Sequence, residues 1–350
     1  MKTELVKIDP LHMDEKAMEH AGRLIAEGEL VAFPTETVYG LGGDALHPEA
    51  AQKIYAAKGR PSDNPLIVHI AEFSDLERIA KEVPEQARKL ADAFWPGPLT
   101  MIVWKNDSVP YKTTGGMDTV AVRMPNHPVA LELIRKSGCL IAAPSANTSG
   151  RPSPTEAAHV AEDLDGRIAM ILDGGSVRIG IESTIVDLTE KTPMILRPGY
   201  ITPQMLSEVL GEPVEIDPGI IAADDTRKPK APGMKYKHYA PKADLVLVDG
   251  AKDAVIAKIN ELAGEKKKAG KKAAVIATEE TRNAYQADVI LCIGSRKDED
   301  SIAQHLYKIL RDCDELEVDA IYSESFVTPR IGQAIMNRLL KAAGHQVIHV

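Results

Sequence analysis

The stretch LVAFPTETVYGLGG, residues 30–43, decides the fold of the first half of the chain. Its apolar run, Leu30 to Phe33, ends at a proline, and hydroxyl residues and glycines follow directly. An apolar run of this length before a turn signal predicts a buried strand. Glycines and hydroxyls after a strand let the backbone approach a small ligand, although an ordinary polar turn has the same composition. We therefore expect a strand with a candidate binding loop at its end.

Apolar runs alternate with helical patterns on both sides of this stretch, up to about residue 205. Helices are expected over residues 48–58, 75–83 and 85–94. Further strands are expected at residues 66–70, 99–104, 119–123, 140–143, 168–172, 184–187 and 194–196. Many strands between helical segments predict an α/β domain with a mixed sheet over residues 1–209.

The second half of the chain is divided by a segment rich in proline, glycine and basic residues, residues 210–243, which we interpret as a linker. Beyond it, strands are expected at residues 245–248, 273–277, 289–293, 320–322 and 347–350. Helical stretches separate these strands. The pattern predicts a smaller, doubly wound parallel α/β domain of the Rossmann-like kind over residues 244–350. It lacks the G-x-G-x-x-G fingerprint, and the chain has no G-x-x-x-x-G-K-[ST] loop.

Composition limits the class of protein. The formal net charge is −9 and only 4% of the residues are aromatic, which disfavours a general polyanion binder or a stacking platform for nucleic acid. The three cysteines form no C-x-x-C pair, which indicates a reducing compartment. No apolar run has membrane-spanning length and the first residues lack the apolar core of a secretory signal, so we expect a cytoplasmic protein.

Three further polar loops are candidate site segments. They are KGRPSDNPL at 58–66, AAPSANTSGRPS at 142–153, and GIESTIV at 180–186 with RPGY at 197–200. Each has a structural alternative, such as a helix C-cap for the cations or an Asx or Ser turn for the second loop. We expect Lys58 and Arg60 to lie at the surface of a cavity, where a cation contributes little to folding.

The chain shows no pattern for metal or covalent catalysis. Its ten histidines are scattered, without a helical H-x-x-x-H pair, and there is no G-x-S-x-G elbow. The loops offer cations, hydroxyls and backbone amides instead. Phosphoryl and nucleotidyl transfer need little more, because positioning and charge stabilisation do most of the catalysis.

Four motifs in this order resemble the YrdC-like family: PTETVYGLG, KGRPxxxPL, PSANxSG and IESTIVD. The signature of that family is Lys-x-Arg and Ser-x-Asn, which Lys58/Arg60 and Ser145/Asn147 match. PGMKYKHYAP at 232–241 and the domain behind it resemble the longer, two-domain form of that family. The resemblance covers the whole chain. It implies a twisted mixed sheet around a large concave cavity.

The resemblance also implies an activity. L-threonine, bicarbonate and ATP would give threonylcarbamoyl-AMP and pyrophosphate, an intermediate for the t6A37 modification of transfer RNA. The protein would be a nucleotidyltransferase that passes its product to the downstream tRNA threonylcarbamoyl-transferase machinery. Mg²⁺ would accompany ATP, held largely by phosphates and water. No protein ligand to the metal is identified, and Glu36 and Glu182 are the candidates. No stable binding of nucleic acid and no contact with a membrane are expected.

Residue roles carried over from the family follow its motifs. The catalytic residues would be Lys58, Arg60, Ser145 and Asn147. L-threonine would be held by Thr37, His69, Arg123 and Ser183, with Arg123 as the fork for its carboxylate. ATP would be held by Lys58, Arg60, Asn64, Thr119, Ala143, Ser145, Ser153, Arg197 and Tyr236. Tyr236 belongs to the basic linker, which carries six cations and no acid over residues 226–243 and is expected to close over the nucleotide as a lid.

Three other interpretations stay open at this point. The first is an RNA-binding module that uses the same basic concavity, which salt-dependent RNA affinity without ATP turnover would favour. The second is a carbamoyl-transfer domain of the hydrogenase-maturation kind, although such proteins carry Cys-rich zinc modules that this chain lacks. The third is that the second domain binds a ligand or partner of its own, because parallel sheets bind ligands at the carboxyl ends of their strands.

Overall fold

A computed structural model describes residues 2–220, 239–326 and 328–350 of the protein. These residues divide into two compact units. The first unit takes nearly all of residues 2–220, and the second takes the described residues from 239 onwards together with two short segments, 150–152 and 179–181. Each unit has a sheet of its own.

The first unit contains helices α1 (Glu15–Ala26), α2 (Pro48–Lys58), α3 (Ser74–Ile79), α4 (Glu85–Phe94), α5 (Pro128–Ser137), α6 (Ala157–Leu164) and α7 (Pro203–Leu210). Its strands are β1 (Glu4–Lys7), β2 (Val31–Phe33), β3 (Gly40–Asp44), β4 (Ile67–His69), β5 (Leu99–Trp104), β6 (Thr119–Arg123), β7 (Ile141–Ala142), β8 (Met170–Asp173), β9 (Thr184–Asp187), β10 (Met194–Arg197) and β11 (Glu215–Ile216). They form one sheet in the order β1-β8-β2-β3-β7-β4-β6-β5-β9-β10-β11. Parallel and antiparallel neighbours both occur, so the predicted mixed sheet is confirmed.

Both faces of this sheet are covered, because successive side chains of its central strands belong to different apolar clusters. Val31 and Phe33 on β2 pack with Met18 of α1 and Leu133 of α5. Ala32, between them in sequence, belongs to a second cluster. Alternate residues of a strand point to opposite faces, so a strand buried on both faces has a continuous apolar run rather than an alternating one. This is the reason that the run before Pro34 is apolar throughout.

The register of the central strands brings the candidate loops to neighbouring positions. His69 at the end of β4 lies opposite Arg123 at the end of the parallel strand β6. Strand β3 pairs with β7, and an isolated bridge beyond them joins Gly40 to Ser145. The loops that begin at Pro34 and at Ala143 are therefore adjacent across the sheet.

The second unit is a parallel sheet with three helices among the described residues. Its strands are β12 (Asp244–Asp249), β13 (Ala273–Ala277), β14 (Val289–Cys292), β15 (Ala320–Glu324) and β16 (Val347–His349), and its helices are α8 (Lys252–Lys268), α9 (Glu299–Glu315) and α10 (Gly332–Ala342). All neighbouring strands are parallel, in the order β14-β13-β15-β12-β16. The predicted small parallel α/β domain is confirmed.

The two short segments in the second unit are held by residues of that unit. Arg311 on α9 is 1% exposed and donates a hydrogen bond of 2.7 Å to the carbonyl of Pro152. The backbone N–H of Ala240 donates to the carbonyl of Gly150 at 2.9 Å. Gly180 lies so close to α9 that a Cβ atom there would be 2.4 Å from the Cα of Gln304. Residues 150–152 and 179–181 thus contact α9 and the residues around Ala240.

Several secondary-structure expectations differ from the structure. The helix expected over residues 75–83 ends at Ile79, and helices α1, α5, α6 and α7 were not predicted. The candidate loop over residues 34–43 is shorter than predicted, because Gly40–Asp44 forms β3. Glycine is unfavourable in strands, but a Cβ at Gly42 would lie 2.9 Å from the Phe33 ring and 2.8 Å from Ile141, so close packing requires it. Strand β1 was not predicted because it is largely exposed at the sheet edge. Glu215–Ile216, within the predicted linker, forms β11 against β10.

No helix in the three described ranges has both the length and the apolar character required to cross a membrane.

Candidate active site

Lys58 joins the candidate loop at residues 58–66 to the candidate loop at residues 142–153. It is the last residue of α2, where Gly59 ends the helix in the left-handed conformation, and its side chain is only 3% exposed. Its Nζ donates to the backbone carbonyls of Ser145 and Asn147, the latter at 2.6 Å. Lys58 therefore does not lie at a cavity surface as expected, nor does it simply cap its own helix. Burial is possible because backbone carbonyls replace the water around the ammonium group.

The loop at residues 142–153 is fixed to the segment at residues 34–43 by backbone hydrogen bonds. Leu41 donates to the carbonyl of Pro144 at 2.8 Å, and Ala146 donates to the carbonyl of Tyr39 at 2.9 Å. Ser149 donates to the carbonyl of Lys58 at 2.9 Å. Three segments far apart in sequence thus meet at Ser145 and Asn147. This convergence supports the prediction that these loops form one site.

Arg123 is the centre of a buried polar cluster. It is 4% exposed, its Nη1 donates to the hydroxyl of Thr37 at 2.9 Å, and its Nη2 lies 2.7 Å from Oε1 of Glu36. The Glu36 contact is an ion pair whose geometry falls short of a hydrogen bond, and within the described residues neither oxygen of Glu36 accepts one. A buried carboxylate without a hydrogen-bond donor is costly unless a ligand supplies one.

His69 lies beside this cluster in the neutral form. Burial and, after it, the positive charge of Arg123 lower the pKa of His69 to about 3, against the opposite effect of the carbonyls of Ile67 and Ile141. Its Nδ1 donates to the carbonyl of Ile67 at 3.2 Å, since a carbonyl can only accept. The ring is therefore an uncharged hydrogen-bonding group at neutral pH, poorly suited to act as a general base.

Ser183 and Arg197 form a second cluster at the start of β9. Arg197 is 6% exposed and donates from Nε to the carbonyl of Ser183 at 3.0 Å and from Nη2 to its hydroxyl at 3.1 Å. The same hydroxyl lies 2.8 Å from that of Thr100 on β5. Gly199 permits this arrangement, because a Cβ there would be 2.4 Å from the backbone nitrogen of Thr184.

The other predicted ATP contacts are more dispersed. Ser153 donates to Oε1 of Glu182 at 2.6 Å, with both side chains buried. Asn64 is 3% exposed, and its Oδ1 has no hydrogen-bond donor in the described part of the chain. Arg60 is half-buried near Tyr55. The pKa of Tyr55 is raised to about 12, because burial outweighs the lowering effect of the Arg60 charge. Thr119 lies at the opposite end of β6 from Arg123, about 13 Å away for an extended strand.

Ala143 follows β7, and its backbone N–H donates to the carbonyl of Ile67 at 2.9 Å. Tyr236 lies outside the described residues, as does most of the basic segment over 226–243 to which it belongs.

The candidate Mg²⁺ ligands are already engaged, since Glu36 pairs with Arg123 and Glu182 accepts from Ser153. No group of three or more His, Cys, Asp or Glu side chains suited to a metal ion occurs among the residues described. The side chains present therefore do not form a protein cage for a metal.

Sequence reasoning missed two residues of the site. Thr100 holds the hydroxyl of Ser183 but lies within an apolar strand, where one threonine carries no signal. His127 precedes α5, and its buried Nδ1 has no hydrogen-bond partner among the described residues. Burial lowers the pKa of His127, whereas the nearby Glu36 carboxylate raises it. The polar turn after β6 could have indicated His127, because the other candidate loops also follow strands.

Comparison with known families follows the same division of the chain. A family model described as "Telomere recombination", for the Sua5, YciO and YrdC proteins, matches residues 23–199. A second, described as "Threonylcarbamoyl-AMP synthase, C-terminal domain", matches residues 201–344. The chain belongs to the Sua5/YciO/YrdC family. The resemblance predicted from the four loops is thereby confirmed.

Full-length relatives of this family have the same two-domain organisation. The chain is 51% identical to the threonylcarbamoyl-AMP synthase of Pyrococcus abyssi over 97% of each protein. It is 50% identical to that of Bacillus subtilis, over 97% of this chain and 96% of the other. The crystal structure of P. abyssi Sua5 complexed with L-threonine is similar with a TM-score of 0.94 at 49% identity, over 99% of this chain and 100% of that one. The roles of individual residues stay predictions.

Proposed function

We propose that this protein synthesises threonylcarbamoyl-AMP from L-threonine, bicarbonate and ATP, with release of pyrophosphate. One observation carries the proposal. In a chain about half identical to named threonylcarbamoyl-AMP synthases, the Lys58–Ser145–Asn147 junction is joined by backbone bonds to the loop that carries Glu36 and Thr37. A nucleotide site and an amino-acid site on adjacent loops are what the reaction needs, because its cost lies in bringing several anions together.

In this proposal the buried Arg123 cluster binds the amino acid. Arg123 takes the threonine carboxylate through its guanidinium fork, and the Glu36 carboxylate accepts from the ammonium group. The absence of a hydrogen-bond donor to Glu36 within the described residues supports this role. Thr37, Ser183 and the neutral His69 supply hydrogen bonds for the threonine hydroxyl.

The nucleotide would bind between the loops at residues 58–66 and 142–153. Lys58, Arg60 and Arg197 contribute positive charge near the phosphates, and Ser145 and Asn147 position them. Asn64, whose buried Oδ1 accepts no hydrogen bond among the described residues, is an acceptor for a donor group of the nucleotide. Thr119, Ala143 and Ser153 complete this proposed surface, and Tyr236 closes over it. Mg²⁺ would bind to the triphosphate and water rather than to a protein cage, and it would supply charge neutralisation.

The chemistry requires no enzyme nucleophile. The threonine amine loses a proton to solvent and attacks bicarbonate, which gives a carbamate and water. A carbamate oxygen then attacks the α-phosphorus, the bond from that phosphorus to the bridging oxygen breaks, and pyrophosphate leaves with the electron pair. The cations stabilise the charge on the transferred and leaving phosphates, and the buried site excludes water from the labile product.

The product is a reactive adenylate, and we propose that it passes to the machinery that modifies adenosine 37 of transfer RNA. Direct hand-over rather than stable binding of nucleic acid by this chain is part of the proposal. A cytoplasmic location fits the three cysteines, all of which are unpaired.

The proposal is tested by pyrophosphate release from ATP, measured with and without L-threonine and with and without bicarbonate. We expect release only when both are present. Release that needs neither would identify a plain ATP hydrolase, and RNA affinity without ATP turnover would favour the binding-module alternative.

A further inference from the structure

The second unit contains a cavity of about 230 Å³ that the proposed function does not use. It lies where strands β12, β13 and β15 end. Its polar lining consists of Gly250, Lys252, Thr281, Arg296, Glu324 and Ser325. Strands β13 and β15 are neighbours, but the connection from β13 runs to β14 at one edge of the sheet and the connection from β15 runs to β16 at the opposite edge. A reversal of this kind at the carboxyl ends of parallel strands is where doubly wound sheets bind ligands.

Glu324 organises the cavity but is not available to a ligand. It is 2% exposed. Its Oε1 accepts from the hydroxyls of Thr281 and of Tyr285, the latter at 2.9 Å, and its Oε2 pairs with Nη2 of Arg296. With three donors in place, the carboxylate holds Arg296 and the two hydroxyls in fixed positions. Ser325 is engaged in the same way, by donation to Asp249 at 2.6 Å.

The two cations of the cavity keep donor capacity. Nη2 of Arg296 also donates to the carbonyl of Ser325 at 2.9 Å, but its Nε and Nη1 make no hydrogen bond to any residue that the structure describes. Lys252 is exposed, and no acidic side chain of the described chain pairs with it. Among the residues that line the cavity, the two cations face one carboxylate, that of Glu324, so the lining itself has a net positive charge. The carboxylates of Asp249 and Glu280 lie outside the lining, where they accept from the Ser325 hydroxyl and the Arg296 backbone N–H. Unused donors with that charge favour an anion.

The start of α8 also favours binding of an anion in this cavity. This helix of 17 residues begins at Lys252, directly after Gly250, and its N-cap residue Ala251 makes no side-chain cap. The first backbone N–H groups of a helix have no partner within it, and the helix dipole adds a partial positive charge there. Asp253 is exposed and does not line the cavity, so it does not neutralise this end from inside.

We propose that this cavity binds a small organic anion, with its phosphate or carboxylate group between Arg296, Lys252 and the first turn of α8. Val255 and Tyr285, which also line the cavity, would contact the carbon skeleton. The ligand is small, because pockets for drug-sized molecules have volumes of about 300–1,000 Å³. All of these residues belong to the second unit, so the site stands independently of the proposed synthase activity.

The test uses the full-length protein and methyl NMR, with Val255 as a local reporter because its side chain lines the cavity and is 6% exposed. Inorganic phosphate and malonate are titrated separately. We expect saturable shifts of the Val255 methyl signals with phosphate, malonate or both, and the response identifies the group that the site prefers. Because the signal is local, binding at the nucleotide site does not contribute to it.

Two variants and one control locate the anion. Lys252→Gln should weaken binding about tenfold or more, since hydrogen bonds to charged groups are lost. Arg296→Lys keeps the charge facing Glu324 but removes the guanidinium fork, and it should weaken binding as well. Lys297→Gln removes a charge at the next, exposed position and should leave binding unchanged. The proposal is overturned if neither anion shifts Val255, or if Lys252→Gln and Arg296→Lys both bind as the unmodified protein does.

Discussion

Lys58 combines a structural role with its proposed catalytic one. Lys58→Ala leaves the carbonyls of Ser145 and Asn147 without their buried donor, so the first unit should lose about 1–3 kcal/mol of unfolding free energy. Adenylate formation should fall about 100-fold, as when a donor to developing charge is removed. Denaturation followed by tryptophan fluorescence measures the first property, because Trp95 and Trp104 both belong to the first unit.

The matched control is Lys53→Ala on the same helix. Lys53 is exposed and contacts Glu29 and the carbonyl of Gly28. We expect a change in unfolding free energy of less than about 0.5 kcal/mol and unchanged activity. If Lys58→Ala and Lys53→Ala behave alike, Lys58 is not the junction of the site.

His69 gives a prediction that depends on pH. Its folded-state pKa is about 3, below the ordinary value of 6.5, so the unfolded chain binds more protons between these values. Stability from the neutral ring is fully present above pH 6.5 and declines as the pH falls towards 3, by about 1.4 kcal/mol per unit at most. His69→Asn should show a smaller decline of the first unit's stability between pH 6.5 and 5. NMR of the imidazole nitrogens at pH 5 should find a neutral ring, and a protonated ring would contradict the account.

At the scale of elements, apolar periodicity predicted much of the first sheet. The predicted bounds of α2, α4, β5, β6 and β9 agree with the structure, because each has a regular apolar pattern between clear stop signals. Strand β3 escaped prediction because packing against Phe33, not strand propensity, determines its glycines. The pairing of Arg123 with Glu36 spans 87 positions in sequence. Only the register of the sheet brings such residues together, so no local pattern reveals it.

The proposed amino-acid pocket includes residues at the ends of β4 and β6 and at the start of β9, and it predicts how the enzyme ranks its substrates. L-threonine should be preferred over both L-serine and L-valine, and valine should be rejected more strongly. Loss of the methyl group in serine removes about 1–3 kcal/mol, whereas valine leaves buried hydrogen-bonding groups unpaired and costs more. Values of kcat/KM for pyrophosphate release with the three amino acids measure this. Equal efficiency for valine and threonine would refute the pocket.

At the scale of the whole molecule, two segments of the second unit directly precede proposed site residues in the chain. Residues 150–152 are followed by Ser153, and residues 179–181 by Glu182 and Ser183. A protein ended after Leu210 lacks Arg311 and Ala240, which hold the first segment. We expect a folded sheet with activity lowered about 100-fold, because small misplacements of a site cost that much. Full activity of the 1–210 fragment, measured as adenylate formation, would show that the second unit is dispensable.

Tyr236 carries the lid proposal. Tyr236→Ala in the full-length protein should raise the KM for ATP with less effect on the KM for threonine, because the ring is proposed to close over the nucleotide. Tyr111→Ala is a suitable control, since Tyr111 is an exposed tyrosine of the first unit. If the KM for ATP is unchanged in Tyr236→Ala, residues 226–243 only connect the two domains and do not close over the nucleotide.

Threonine, ATP and bicarbonate are proposed to react in one site, and the identity of the nucleotide product tests this proposal. The full-length protein is incubated with ATP, L-threonine and ¹³C-labelled bicarbonate, and the nucleotide products are analysed by mass spectrometry. We expect threonylcarbamoyl-AMP that carries one labelled carbon, in its carbamoyl group, and that forms in step with pyrophosphate. An adenylate of threonine without the label, or pyrophosphate release with no labelled nucleotide, would contradict it.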